Sequence, residues 1–211
     1  MSPYGRLRRL RNAPLKQIAL ELPAPIGGRL DGLLIVADAA DERTTRRELI
    51  AAIIHDARVY RHRVVEVLTE YRNAEVSKAF IPGQPQKRFL APRIVQGPRQ
   101  LAPRERPSTD ERPTKQLPPI KRDDLLSQAG RYRVGAAIPV PVDRELDALV
   151  ERAKRQGERT SRRELVAALI LAAPHSPDAL AEILRSYRRA TIGRRLRGRR
   201  HTAPDTPGGP E

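Results

Sequence analysis

Residues 138–170 read IPVPVDRELDALVERAKRQGERTSRRELVAALI, and residues 22–54 read LPAPIGGRLDGLLIVADAADERTTRRELIAAII. The two stretches lie 116 residues apart and align without a gap from 22 to 76 on 138 to 192. Of these 55 positions 22 are identical, and most apolar mismatches are conservative (Leu22/Ile138, Ile26/Val142, Ile50/Val166, Val67/Ile183). An intact apolar frame over that length marks an internal duplication.

Each copy yields the same series of elements. Ile18, Leu20 and Leu22, and Val134, Ala136 and Ile138, alternate with period two, which predicts a half-buried strand. Pro23 and Pro139 end it and open a turn into a helix. That helix carries Leu30, Leu33, Leu34 and Ala37, matched by Leu146, Leu149, Val150 and Ala153. Gly157 marks its stop in the second copy, where the first has Asp41; Gly27-Gly28 reads as a turn before the helix. A second helix starts at a cap, Thr44 or Thr45 and Thr160 or Ser161, with Glu48 and Glu164 at capping-box spacing. Its stripe is Leu49, Ile50, Ile53 and Ile54, against Leu165, Val166, Leu169 and Ile170. A third helix is expected near 62–76 and 177–190, with Tyr71 and Tyr187 in its apolar stripe.

The expected organisation is a basic arm (1–16), a first repeat (17–81), a disordered proline-rich linker (82–122), a second repeat (123–192) and a tail (193–211). Residues 82–119 hold nine of the 20 prolines and too little apolar surface to offset their ordering entropy. The net charge is +16, yet segments 1–16, 82–122 and 185–200 together carry +20, so the repeats are close to neutral. The basic arms, with Arg6, Arg8, Arg9 and Arg11 before the first repeat and Arg194, Arg195, Arg197, Arg199 and Arg200 after the second, suit salt-sensitive, sequence-blind attraction to phosphate. The plainer account is solubilising tails, with arginine abundance set by genome composition.

Strand, Leu-Pro or Ile-Pro, Leu-Asp-x-Leu in helix one and Thr-Ser-Arg-Arg-Glu-Leu-Val opening helix two resemble the ribbon-helix-helix DNA-binding proteins, over roughly residues 16–57 and 132–173. The resemblance implies a mainly α fold of two units, each one short strand plus three helices. Their strands pair as an antiparallel ribbon that enters the major groove. Both units lie on one chain, so it implies intramolecular pairing, with exchange of halves between two chains or assembly on DNA as the alternatives. It makes Gln17, Ala19 and Glu21, and Arg131, Arg133 and Gly135, the base-contact candidates, with Ala137 ending the second outward row. It makes Thr44, Thr45, Arg46 and Arg47, and Thr160, Ser161, Arg162 and Arg163, the phosphate-contact candidates at the second helix's N-terminus. The ordinary reading there is a helix cap with solvated arginines. The outward row departs from the family: only Gln17 and Arg133 suit base reading, and Glu21 repels phosphate unless it meets a cytosine amino group.

Other chemistry is not indicated. With no Cys there is no disulfide, thiolate site or cysteine nucleophile. His55, His62, His175 and His201 complete no metal set, no phosphate-loop or hydrolase motif occurs, and no catalytic residue, metal or cofactor is expected. His55 reads as a helix-surface residue, Asp31 and Asp147 as lone carboxylates. Without an apolar run of spanning length or a secretory h-region, a bacterial, nucleoid-associated cytoplasmic protein is expected, with no membrane partner. The two functions that fit are a double-stranded DNA-binding regulator or plasmid maintenance or transfer accessory factor, and a scaffold or antitoxin-like adaptor. In the second, paired repeats bind a protein while basic arms hold nucleic acid nonspecifically.

Overall fold

The computed structural model describes residues 9–58, 63–82 and 121–191. The described residues form one two-stranded antiparallel sheet and six α-helices. Strand β1 (Leu15–Pro23) leads into α1 (Ala24–Ala39), α2 (Arg46–Ala57) and α3 (Val64–Arg72). The same order follows in β2 (Arg131–Pro139), α4 (Val140–Arg155), α5 (Arg162–Ala172) and α6 (Pro177–Arg189).

The strands pair from Leu15↔Pro139 to Pro23↔Arg131, with Ala19 opposite Gly135 at the centre. These two residues are 116 apart, the offset of the sequence repeat, so the register is symmetric about them. Contacts around the ribbon come in pairs at that offset. Ala24 N–H donates to Gly130 O and Val140 N–H to Pro14 O; Leu10 N–H donates to Ala190 O and Leu126 N–H to Ala74 O.

A lone two-stranded ribbon is marginal in water and needs a covered face. Leu20, Leu22, Val134, Ala136 and Ile138 supply it and lie in one buried cluster with both sets of helices. The third helix of each half packs on the second helix of the other, α3 on α5 and α6 on α2. The halves therefore interlock, which explains a departure from the expected stripe on helix two. All six residues from Leu49 to Ile54 and all six from Leu165 to Ile170 are buried, alanines included. A helix at the centre of two interlocked halves has no solvent face at mid-length.

Several boundaries differ from the sequence reading. Gly27 and Gly28 lie buried inside α1, because the helix starts at Ala24 with Pro25 in its first turn and Pro23 in extended backbone before it. Leu10–Asn12 form a helical turn with Leu10 and Ala13 buried, so the fold reaches into the arm expected over 1–16. Arg9 and Arg11 project from that turn with exposed side chains. Helix α3 stops at Arg72, short of 76, and Val76–Ala79 form a separate turn. That turn is held by Val76 N–H to Asp124 O and Ser77 N–H to Arg122 O, so the end of the 82–122 segment is part of the packing. Arg6, Arg8, Arg194, Arg195, Arg197, Arg199, Arg200, His62, His201 and most of the linker lie outside the described residues. No helix among the described residues is long and apolar enough to cross a membrane.

Candidate nucleic-acid interface

The alternation that buries Leu20 and Leu22 turns Gln17, Ala19 and Glu21 out, and on the facing strand Arg131, Arg133 and Gly135. All six base-contact candidates are exposed on one face of the ribbon. Their order across the strands is uneven. Glu21 pairs with Arg133 and Gln17 with Ala137, while the centre, Ala19 against Gly135, is bare. A Cβ on Gly135 would meet nothing within 4 Å, so packing does not require glycine there.

The N-termini of α2 and α5 flank this face. Thr45 and Ser161 are the caps: Thr45 Oγ1 accepts from Glu48 N–H at 3.2 Å and Ser161 Oγ from Glu164 N–H at 3.3 Å. Thr44 and Thr160 serve differently, their hydroxyls donating to Glu48 Oε2 (3.1 Å) and Glu164 Oε2 (3.0 Å). Arg46 pairs with Asp31 at 2.5 Å, and Arg162 with Asp147 and with buried Asp143 (2.8 Å). Asp31 and Asp147 are therefore anchors, not lone carboxylates. Of the eight phosphate-contact candidates, only Arg47 and Arg163 take no part in the caps or in the pairs with Asp31, Asp143 and Asp147. Arg47 makes no ion pair among the described residues, and Arg163 reaches Glu21 at 2.8 Å across 46 % and 57 % exposed side chains, where screening leaves little attraction. The first N–H groups of a helix project beyond it unsatisfied, so each terminus offers donors beside an exposed arginine.

One cleft of about 220 Å³ brings candidates of both kinds together: Arg131, Ser161 and Arg163, with Glu21, Ser127 and the wall of Tyr71. The equivalent positions beside α2 hold Leu15, Thr45, Arg47 and Ala137, with Arg11 in place of Ser127. The two ends of the ribbon thus present different charge patterns on the same backbone. No family model, curated protein or solved structure matches the chain.

Arg72 and Arg188, 116 residues apart, escaped the sequence reading although each sits in an identical Tyr-Arg pair. Arg188 clasps the loop before α2, bonding Glu48 (2.8 Å), Glu42 and Arg43 O (2.7 Å). Arg72 does the same before α5, with Glu164 (2.8 Å), Glu158 and Arg159 O (2.6 Å). Burial pushes the Glu48 and Glu164 carboxyls up. The hydrogen bonds and charges of Arg188 and Arg72, with Thr44 and Thr160, outweigh it and hold both below the ordinary value. Each clasp fixes the helix terminus that would face a ligand.

His55 is half-buried, not a surface residue: its Nδ1 lies 3.0 Å from Glu145 Oε2 and its ring meets Tyr187 edge-on at 6.0 Å. Tyr71 and Tyr187 are core residues as expected, and burial raises the Tyr187 hydroxyl to about 12. No group of side chains among the described residues is arranged to hold a metal.

Proposed function

We propose that the chain is a DNA-binding protein, not an enzyme, in which two ribbon-helix-helix-like units on one polypeptide form a pseudo-dimer. The observation that carries this reading is the symmetric ribbon: nine paired residues a side, one face buried, the other exposed and flanked by two capped helix N-termini. A two-stranded ribbon fits the major groove, and helix N-termini suit the phosphates beside it. Gln17, Arg131 and Arg133 are the groove-facing polar groups, and Arg47 and Arg163 the phosphate cations. The basic arms, including Arg9 and Arg11, add nonspecific attraction. The bare centre and Glu21 imply that few bases are read. Because Ala137 and Leu15 replace Glu21 and Arg131 at the other end, the preferred site is an asymmetric operator, as for a transcriptional regulator or a plasmid maintenance or transfer accessory factor.

The test is fluorescence anisotropy of the full chain with double-stranded DNA from around its own gene, against random-sequence competitor, across salt. A preference for the cognate DNA that persists at the salt where random DNA dissociates supports the reading; equal affinity at every salt contradicts it.

One observation favours an adaptor instead. Opposite the ribbon, a groove of about 660 Å³ between the α2 and α5 C-termini and the third helices has an apolar floor of Ile53, Val67, Leu169 and Ile183, lined also by Asp56, Glu70 and Glu182 against the single cation Arg63. A groove of that size and charge suits a cationic apolar segment of a protein partner.

A further inference from the structure

The contacts between the halves fall into two sets. The clasps of Arg72 and Arg188 recur identically at the 116-residue offset, so they would form whichever halves paired. A second set does not recur. Arg29, 7 % exposed, donates from Nε to Ile170 O (3.0 Å) and from Nη2 to Ala173 O (2.9 Å), closing the C-terminus of α5. The position equivalent to Arg29 is Glu145, a charge of opposite sign. Glu145 meets the C-terminus of α2, where Arg58 Nη1 donates to it at 2.7 Å and His55 Nδ1 lies 3.0 Å away. The residues equivalent to His55 and Arg58 are Leu171 and Pro174, which can offer Glu145 nothing. Lys16 likewise crosses between halves to Asp143, 3 % exposed, at 2.6 Å, and the position equivalent to Asp143 is Gly27.

We propose that this exchange of charge selects its own partner: the surface of the first half recognises the second half of the chain and rejects another first half. The alternatives follow from the register. First with first would bring each Arg29 to the carbonyls of Ile54 and Ala57 but set it beside Arg58 and His55 with no carboxylate between them, and leave Lys16 facing Gly27. Second with second would press each Glu145 against the carbonyls of Ile170 and Ala173 with no cation within reach. Cations crowded at one helix end, and a carboxylate buried against carbonyls, are destabilising, and natural interfaces use such repulsion to exclude wrong partners. Genes duplicated in tandem inherit a surface that pairs with itself, so the asymmetry removes the competing chain-to-chain assemblies. The inference rests on the fold alone and holds whatever the ribbon binds.

The chain has no cysteine, so single thiols report pairing cleanly. Ala19→Cys in the full chain places a thiol at the ribbon centre, opposite position 135 of the partner half. Within a paired ribbon it cross-links two chains only if two first halves pair; exchange of unlike halves between chains would not join them. Oxidation of this variant is expected to give no disulfide-linked dimer, whereas Ala19→Cys with Gly135→Cys gives 19-to-135 links. Adding the swap Arg29→Glu with Glu145→Arg rewards like-with-like pairing at both ends. It is expected to raise the chain-to-chain link through position 19 by more than about tenfold, less than a buried charge pair is worth. Efficient dimer formation by Ala19→Cys in the native background, or no rise on the swap, overturns the proposal. Should the swap fail to fold by circular dichroism, the neutral pair Arg29→Met with Glu145→Gln decides instead. Loss of discrimination is expected, and undiminished discrimination is the contrary result.

Discussion

Replacing Arg188 with alanine removes a guanidinium with a side chain 23 % exposed that binds Glu48, Glu42 and a backbone carbonyl of the other half. Hydrogen bonds to charged groups contribute about 1.5–3 kcal/mol each when well buried, and partial exposure discounts them. What remains also matters. Glu42 keeps Arg185 at 2.6 Å and Glu48 keeps the Thr44 hydroxyl, so neither carboxylate is abandoned. Together these give an expected loss of about 2–3 kcal/mol, a large fraction of the roughly 5–15 kcal/mol of a typical domain. In urea, with a slope of about 2 kcal/mol per molar, the unfolding midpoint falls by about 1–1.5 M at unchanged slope. Arg72→Ala supplies the internal control. The position equivalent to Arg185 is Thr69, so Glu158 has no second cation among the described residues, and Arg72→Ala is expected to cost more than Arg188→Ala. The two clasps share no partner, so the double variant should show the sum. A midpoint shift below about 0.3 M for either variant, or a larger loss for Arg188→Ala, would refute the clasp as a principal inter-half tie.

Three further outcomes follow from the same geometry. Glu48 and Glu164 have folded pKa values below their unfolded ones, so their contribution is fully present above about pH 4.3 and lost as pH falls through the folded values. Urea midpoints measured between pH 6 and pH 3 should therefore fall, and Arg188→Ala should flatten the part due to Glu48. Asp41 sits at φ 57° where the second half has Gly157 at φ 89°, so Asp41→Gly is expected to raise thermal stability by up to about 1 kcal/mol, and Gly157→Ala to lower it by a similar amount. Thr45→Ala deletes the α2 cap and should cost about 1 kcal/mol, read by chemical denaturation.

The strands were legible in the sequence because one side of the ribbon is wet, which leaves the Leu20/Leu22 and Val134/Ala136 alternation clean. The caps were legible because Thr45 and Ser161 stand three residues before a glutamate in both copies. The capping box is incomplete, however: the glutamate side chains turn to Thr44, Thr160 and the clasping arginines. That tertiary use is invisible in the local pattern. The full burial of α2 and α5 was hidden for the same reason, since a stripe predicts one covered face and interlocking covers the rest. Gly27-Gly28 misled because glycine pairs mark turns, whereas Pro25 had already started the helix. The selective contacts were present as mismatched columns, Arg29 against Glu145 and Gly27 against Asp143. Only the paired halves give those differences a meaning, and Leu10 and Leu126 are buried by a packing that no local periodicity announces.

The proposed role of the exposed ribbon face is to read DNA. Its most direct test is the ratio of cognate to random-sequence affinity for the full chain and for the Arg131→Ala/Arg133→Ala variant, at one fixed salt concentration. If the face reads bases, the ratio falls by about tenfold or more while the arms still hold random DNA. An unchanged ratio, or equal affinity for both DNAs in the native chain, would contradict the account and make the opposite groove the place to look for a partner.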